Sequence, residues 1–219
     1  MPLMVRRCFR FFLNVRTNPE PLYGSHLRAY LPPEFVSCDD PKNVELAQRF
    51  DSGSKVNLSM ETVLEKIRRL LISAGVAFQE IHHAPTYTSE ESAQARGESL
   101  RAGAKAIVAK TDASFRLFVV PADSRIDSAV VKRELNLKKL RFATPGELLE
   151  LTGLVPGSVP PFGEPILPFP LYCDSEIGEA GEIVAFNAGS LTDSIVMSAA
   201  DWVRVAQPIR FSFRQAIEK

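Results

Sequence analysis

The chain has 219 residues, enough for one full domain plus an extension, with two small domains the less economical division. Twenty-six Lys and Arg are matched by 26 Asp and Glu, so no global positive field draws in nucleic acid, which argues against a histone-like or broadly adhesive binder. Any RNA contact has to come from a local patch or from shape.

Hydrophobic residues at 45% and charged residues at 24% are ordinary for a globular chain. Cys8, Cys38 and Cys173 are odd in number and far apart, which argues against a disulfide framework and for a reducing compartment. Cys173 reads most economically as a small buried hydrophobe. With His26, His82 and His83 as the histidines and no HExxH or Cys/His cluster, no metal site is expected. No apolar run approaches the ~20 residues that span a bilayer, so no membrane partner is expected.

In chain order, residues 1–57 read as an N-terminal extension. Arg6, Arg7, Arg10 and Arg16 sit among Phe and Leu, and no acid precedes Glu20. That start resembles a mitochondrial transit peptide except that it lacks serine. The competing reading is a basic segment that docks on the domain or on a partner. Pro19, Pro21, Pro32, Pro33 and Pro41 interrupt the extension, and Phe50 to Asn57 read as a flexible junction.

The compact domain is assigned to residues 58–219. Val63, Leu64, Ile67, Leu70, Leu71 and Ala74 recur at helical spacing, with Gly75 as the cap. Val76 to Ile81 follow as a strand. Thr88 and Glu91 have the spacing of a capping box, so a second helix starts there and ends near Gly97. Lys105 to Lys110 and Phe115 to Pro121 are apolar strands joined by a turn at Asp112 and Ala113. Ile126 to Leu135 read as a short helix. Thr144, Pro145 and Glu147 open another. Beyond it, GLVPGSVPPFGEP holds too many breakers for helix or central strand. Strand-like pieces follow at PLYC, EIVAF and SIVM, and Ser198 with Asp201 opens a last helix containing Trp202. This alternation indicates an α/β or α+β domain with a mixed sheet.

No GxSxG elbow, P-loop or GxGxxG is present, so neither a standard nucleophile nor a cofactor is expected. Three segments stand out instead: HHAPTYTSEE, the lysine of GAKAIVAK, and GSVPP. On pattern alone Lys105 reads as a lysine that snorkels from a strand end, although Gly103 and Ala104 beside it leave room for a ligand. Gly157 can bring bare backbone to a ligand while Pro160 and Pro161 stiffen the loop; a plain connector is the competing reading. His83 reads as a structural hydrogen-bonding residue or a general base. The run Lys132, Arg133, Lys138, Lys139 and Arg141 reads as solvated helix surface, with a tRNA backbone contact as the sharper alternative.

Taken in order, these segments resemble the YbaK/prolyl-tRNA-synthetase-associated domain family over roughly residues 60–208. The likeness is carried by His83-Ala84-Pro85 with Thr88 beyond it, GAKAIVAK, VVPADSRID, LKKLRFATPGEL, TGLVPGSVPPFG and FNAGSLTDSIVM. It implies a mixed α/β fold on a curved, barrel-like sheet. It also implies deacylation of mischarged tRNA, mostly errors of prolyl-tRNA synthetase, with mischarged tRNA and a synthetase or synthetase complex as partners. Lys105 matches the family's pocket lysine, Gly157 to Pro161 its GxxxP loop, and Asn187-Ala188-Gly189-Ser190 its turn before the last strand. One departure is that Ser194, beside Asp193, stands where some members carry an aspartate; this bears on the substrate subclass.

By this resemblance Lys105 and Gly157 are the catalytic candidates. The substrate contacts expected are His83, Pro85, Thr88, Ile107, Ser158, Val159, Pro161, Asn187, Gly189 and Ser190. Lys105 would orient the acylated 3′ end and offset charge; water, a tRNA hydroxyl or the substrate's side chain would attack. A cytoplasmic location is expected, with mitochondrial import as what the Arg-rich start would add. The alternatives are a non-catalytic tRNA-binding or synthetase-complex subunit of the same fold, and an unrelated ester hydrolase.

Overall fold

The computed structural model describes residues 27–30, 61–112, 114–178 and 182–217. The Arg-rich start and Ala113 lie outside these. In chain order the elements begin with β1 (Leu27–Tyr30), α1 (Val63–Ser73), β2 (Phe78–His82) and α2 (Ser89–Arg96). Next come β3 (Ala104–Thr111), β4 (Ser114–Pro121), β5 (Ser124–Ile126), α3 (Ser128–Glu134), β6 (Leu140–Phe142) and α4 (Pro145–Thr152). The chain closes with β7 (Leu171–Asp174), β8 (Ile183–Asn187), β9 (Asp193–Ser198), α5 (Ala199–Ala206), β10 (Ile209–Phe211) and β11 (Arg214–Ala216).

Local chemistry sets the boundaries. Capping boxes at Thr62/Glu65, Thr88/Glu91 and Thr144/Glu147 start α1, α2 and α4, each satisfying helix donors that would otherwise face water. The Val76 amide still bonds the Leu71 carbonyl at the end of α1, which delays β2 to Phe78. Ile126 belongs to β5 and not to the helix, because Asp127 is the N-cap and accepts from the Ala129 and Val130 amides. Asp112 takes a φ of 35° in the β3–β4 turn and accepts from the Lys139 amide at 2.8 Å.

The strands form a mixed α/β assembly. One sheet runs β1-β2-β9-β8, antiparallel throughout; β1, within the stretch read as extension, pairs Leu27 with Ile81 and Tyr30 with Phe78. A second runs β10-β7-β4-β3-β6, with β7 parallel to both β4 and β10, and β11 pairs with β5 separately. Barrel-like closure is not seen among the described residues. The reason is the shortness of β6, which covers β3 from Ala109 to Thr111 and leaves its first half without a strand on that side. The other sheet approaches there through an isolated bridge between Gly103 and Ala185. A seam opens between the two sheets.

Ile67 and Leu71 of α1, Phe186 of β8, Ile195 of β9 and Trp202 of α5 pack in the main core. Phe118, Tyr172 and Phe213 form a second one, with Phe118 stacked on Tyr172 at 5.2 Å between centroids. Asp174 is buried between them, its carboxylate accepting from the Phe213 and Arg214 amides at 2.7 Å and the Glu176 amide at 3.0 Å. In Asp174→Asn, whichever way the amide turns, its NH2 faces a backbone donor. This variant should lose about 1–3 kcal/mol of stability, read as a lower urea midpoint at unchanged slope.

Candidate active site

The seam holds a cavity of about 330 Å³. Its walls come from β3, from the end of β8, from the segment leading into α2, and from the Gly157 loop.

Lys105 is the second residue of β3, opposite Val120. Its half-buried Nζ donates to the Ser124 carbonyl at 2.5 Å and the Ala122 carbonyl at 3.4 Å. Two of the three ammonium protons are thereby assigned, and one remains for a ligand. Burial pulls its pKa below the ordinary lysine value, partly opposed by Glu90 and Asp123. Ile107, two residues on, also faces the cavity.

Gly157 has a φ of 90°, a conformation that glycine adopts without strain. Its carbonyl accepts from Asn187 Nδ2 at 2.9 Å. The loop is fixed along its length: Ser158 Oγ donates to the Val155 carbonyl, the Ser158 carbonyl accepts from the Gly189 amide, and the Pro161 carbonyl accepts from Trp202 Nε1 at 3.0 Å. Val159 turns into the cavity. A backbone clamped in this way presents its groups without reorganising.

Of the residues singled out in the sequence, Lys105, Gly157, Thr88, Ile107, Val159 and Asn187 line this cavity. Ser158 and Pro161 act in the loop behind it. Pro85 is exposed. Gly189 lies under α1, where a Cβ would come within 2.6 Å of Val63, and Ser190 bonds Asp193. His83 stands one layer back: Nδ1 donates to the Ala84 carbonyl, and Nε2 lies 2.8 Å from Ser194 Oγ, which in turn reaches Asn187 Oδ1 at 2.9 Å. Sequence reasoning missed Arg96, the hydroxyls of Thr86 and Ser92, and the aromatic rim of Tyr87 and Phe142, which are 74% and 51% exposed. Phe142, directly after the basic run, was the available signal for its part of the rim; Tyr87, followed by Glu90 and Glu91, had no such neighbour. Arg96, in a polar helix, gave none.

Among the described residues, no Asp or Glu lines the cavity. Nor is Cys173 a nucleophile, since burial pushes its thiol up to about 12. Among the described residues, no helix is long and apolar enough to cross a membrane. A second cavity, of about 260 Å³, shares Gly103 and Ala104 with the first and is bordered by Arg101, Glu176 and Glu182.

Beside the first cavity, Arg141 grips Glu147 with both Nη atoms, at 2.7 and 2.6 Å. That fork, with the Thr144 amide, lowers the Glu147 carboxyl from 4.5 to about 2. A depressed carboxyl stabilises the fold above its unfolded pKa and loses that contribution as pH falls through its folded one. Wild type should therefore exceed Glu147→Gln in urea midpoint at pH 6, with the gap closing between pH 4.5 and 2.

Among the described residues the cleft combines two cationic side chains, a hydrogen-bonded backbone loop and no lining carboxylate, and it is set in a mixed α/β domain. The chain belongs to the aminoacyl-tRNA editing domain family, whose sequence model matches residues 83–205. It is an aminoacyl-tRNA deacylase. The Multifunctional Ser/Thr-tRNA deacylase ProXp-y of Escherichia coli K12 is 33% identical over 156 residues, covering 69% of this chain and 92% of that protein. Proline–tRNA ligase of Bacillus licheniformis is 30% identical over 135 residues, which cover 59% of this chain and 23% of the ligase. The fold is shared with a solved candidate trans-editing enzyme for prolyl-tRNA synthetase, with TM-score 0.59, 23% identity, and coverage of 72% and 100%. It is also shared with a solved hypothetical protein, with TM-score 0.62, 22% identity, and coverage of 69% and 100%.

Proposed function

We propose that this cavity hydrolyses, in trans, the ester joining the terminal adenosine of tRNA-Pro to a small wrong amino acid, serine or threonine above all. The observation that carries this reading is that Lys105 and Gly157 wall one cavity without any carboxylate. Thr86, Thr88, Ser89 and Ser92 give the same cavity a polar wall, within which Ser92 donates to Thr86, Thr86 to the Leu191 carbonyl, and Thr88 caps α2. A polar wall suits a hydroxyl-bearing side chain, and the Ser/Thr specificity in the name of the Escherichia coli relative points the same way.

An aminoacyl ester is already activated, so the demands are selection and charge stabilisation. The Lys105 ammonium offsets the negative charge that grows on the carbonyl oxygen as water or a tRNA hydroxyl attacks. The Gly157–Val159 backbone holds the aminoacyl group. Editing has a thermodynamic reason: a synthetase separates amino acids that differ by one methylene by only ~1–3 kcal/mol, whereas a site built to hydrogen-bond a hydroxyl discriminates far better. The ligase relative makes a prolyl-tRNA synthetase the natural partner. The reaction belongs in the cytoplasm, and the Arg-rich start, which lies outside the described residues, would add import into mitochondria.

The test is a panel of tRNA-Pro charged with serine, threonine, alanine, cysteine or proline, with ester loss followed in time. Serine and threonine should be released fastest and proline spared. Equal release of all five, or of none, would end this reading.

A further inference from the structure

Arg96, the last residue of α2, enters the wall of the same cavity with neutral partners only. Nη1 donates to Asn187 Oδ1 at 3.1 Å and to Ser194 Oγ at 3.3 Å. Nε is buried and has no acceptor. Among the described residues no carboxylate lies within ion-pair distance, and Glu98 acts on the guanidinium only through space. Burial lowers its pKa to about 10, so it is charged at neutral pH.

Several other arginines are matched by acids; Arg116, whose Nε is also buried without an acceptor, lies over the Tyr172 ring and bonds its hydroxyl instead. Arg68 meets Glu80 through two bonds, Arg141 meets Glu147, and Arg214 meets Glu176. A half-buried cation left without such a partner is costly, and perturbed charges of this kind cluster where a ligand completes the site. Among the described residues no Asp or Glu lines the cavity; Glu90, Asp123 and Glu98 act on its two cations only through space, and Lys105 adds a second positive charge to it. A negative charge on the ligand would complete the site.

On an aminoacyl-tRNA terminus the amino acid supplies an amine and an ester, neither of them anionic. The negative charge nearest the ester is the phosphate on the 5′ side of the terminal adenosine. We infer that Arg96 is the receptor for that phosphate. This rests on the deacylase reading of the cavity and adds to it the part of the substrate that sets the ester's position. Asn187 links the two: its Oδ1 accepts from Arg96 while its Nδ2 donates to the Gly157 carbonyl. A phosphate held by Arg96 is thus tied through one side chain to the loop that holds the acyl group.

The experiment compares dissociation constants of 5′-AMP and adenosine for the full chain by calorimetry. Wild type should prefer AMP by roughly 10- to 100-fold, the value of a charge-assisted hydrogen bond or two. Arg96→Gln should bring the ratio close to one. Ser194→Asp is the second variant. It sets a carboxylate beside Nη1, so it quenches the guanidinium from within while leaving it in place, and it too should abolish the preference. An AMP preference that survives in both variants, or that is absent from wild type, overturns the inference; so does a parallel loss of AMP and adenosine affinity in Arg96→Gln with an unchanged ratio in Ser194→Asp. The deacylation panel is read separately. Ester release by a wild type blind to phosphate removes the phosphate site alone, and an Arg96-dependent AMP preference without ester release removes the deacylase reading alone.

Discussion

Lys105→Ala should slow ester loss from mischarged tRNA by ~10²–10³, the usual effect of removing one donor aimed at a developing oxyanion. The lysine is fixed before substrate arrives, because the Ala122 and Ser124 carbonyls hold its ammonium at the cavity wall. The loss should therefore fall on the turnover rate more than on the Michaelis constant, since the charge it offsets exists only as the carbonyl is attacked. Lys105→Arg should not restore the rate, as a planar fork cannot reproduce a point charge seated between two carbonyls. A Lys105→Ala protein that retains wild-type turnover would identify the side chain as a snorkelling strut.

The largest effect on stability should come from Trp202→Ala. Trp202 is fully buried in the main core, and its indole N–H is bonded to the Pro161 carbonyl. Truncation should cost about 3–5 kcal/mol, seen as a lower denaturant midpoint. Trp202→Phe separates the two contributions. It keeps most of the packing but leaves the Pro161 carbonyl without its donor, a loss of about 1–3 kcal/mol. Because that carbonyl ends the GSVPP loop, the Phe variant should remain folded and still deacylate more slowly. Unchanged turnover in that variant would mean that the loop is rigid without its anchor.

The site was legible where chemistry is local and illegible where it depends on distance in space. The Thr88/Glu91 and Thr144/Glu147 boxes could be read because a hydroxyl and a carboxylate three residues apart satisfy each other within one turn. The Thr62/Glu65 box has the same spacing, but the sequence reading of that helix rests on the apolar periodicity from Val63 alone. Strands β5, β6, β10 and β11 are three residues each, too short for alternation to show. Their absence from the reading hid the short cover over β3, and with it the seam. Lys105 and Gly157 were found through a family resemblance, since nothing in their spacing says that residues 52 positions apart share a cavity. Arg96 had neither a local pattern nor a motif, and its meaning comes from partners at 187 and 194.

Gly103 borders both cavities. A methyl group there would sit 2.8 Å from the Ala122 side chain, 3.1 Å from the Leu100 carbonyl and 3.7 Å from Arg96 Nη2. Ala122 also supplies a carbonyl to the Lys105 ammonium. A side chain at this position would therefore press on the residue that seats the Lys105 ammonium and approach the Arg96 guanidinium, so the spacing of the cavity's two cations depends on a residue with no side chain of its own.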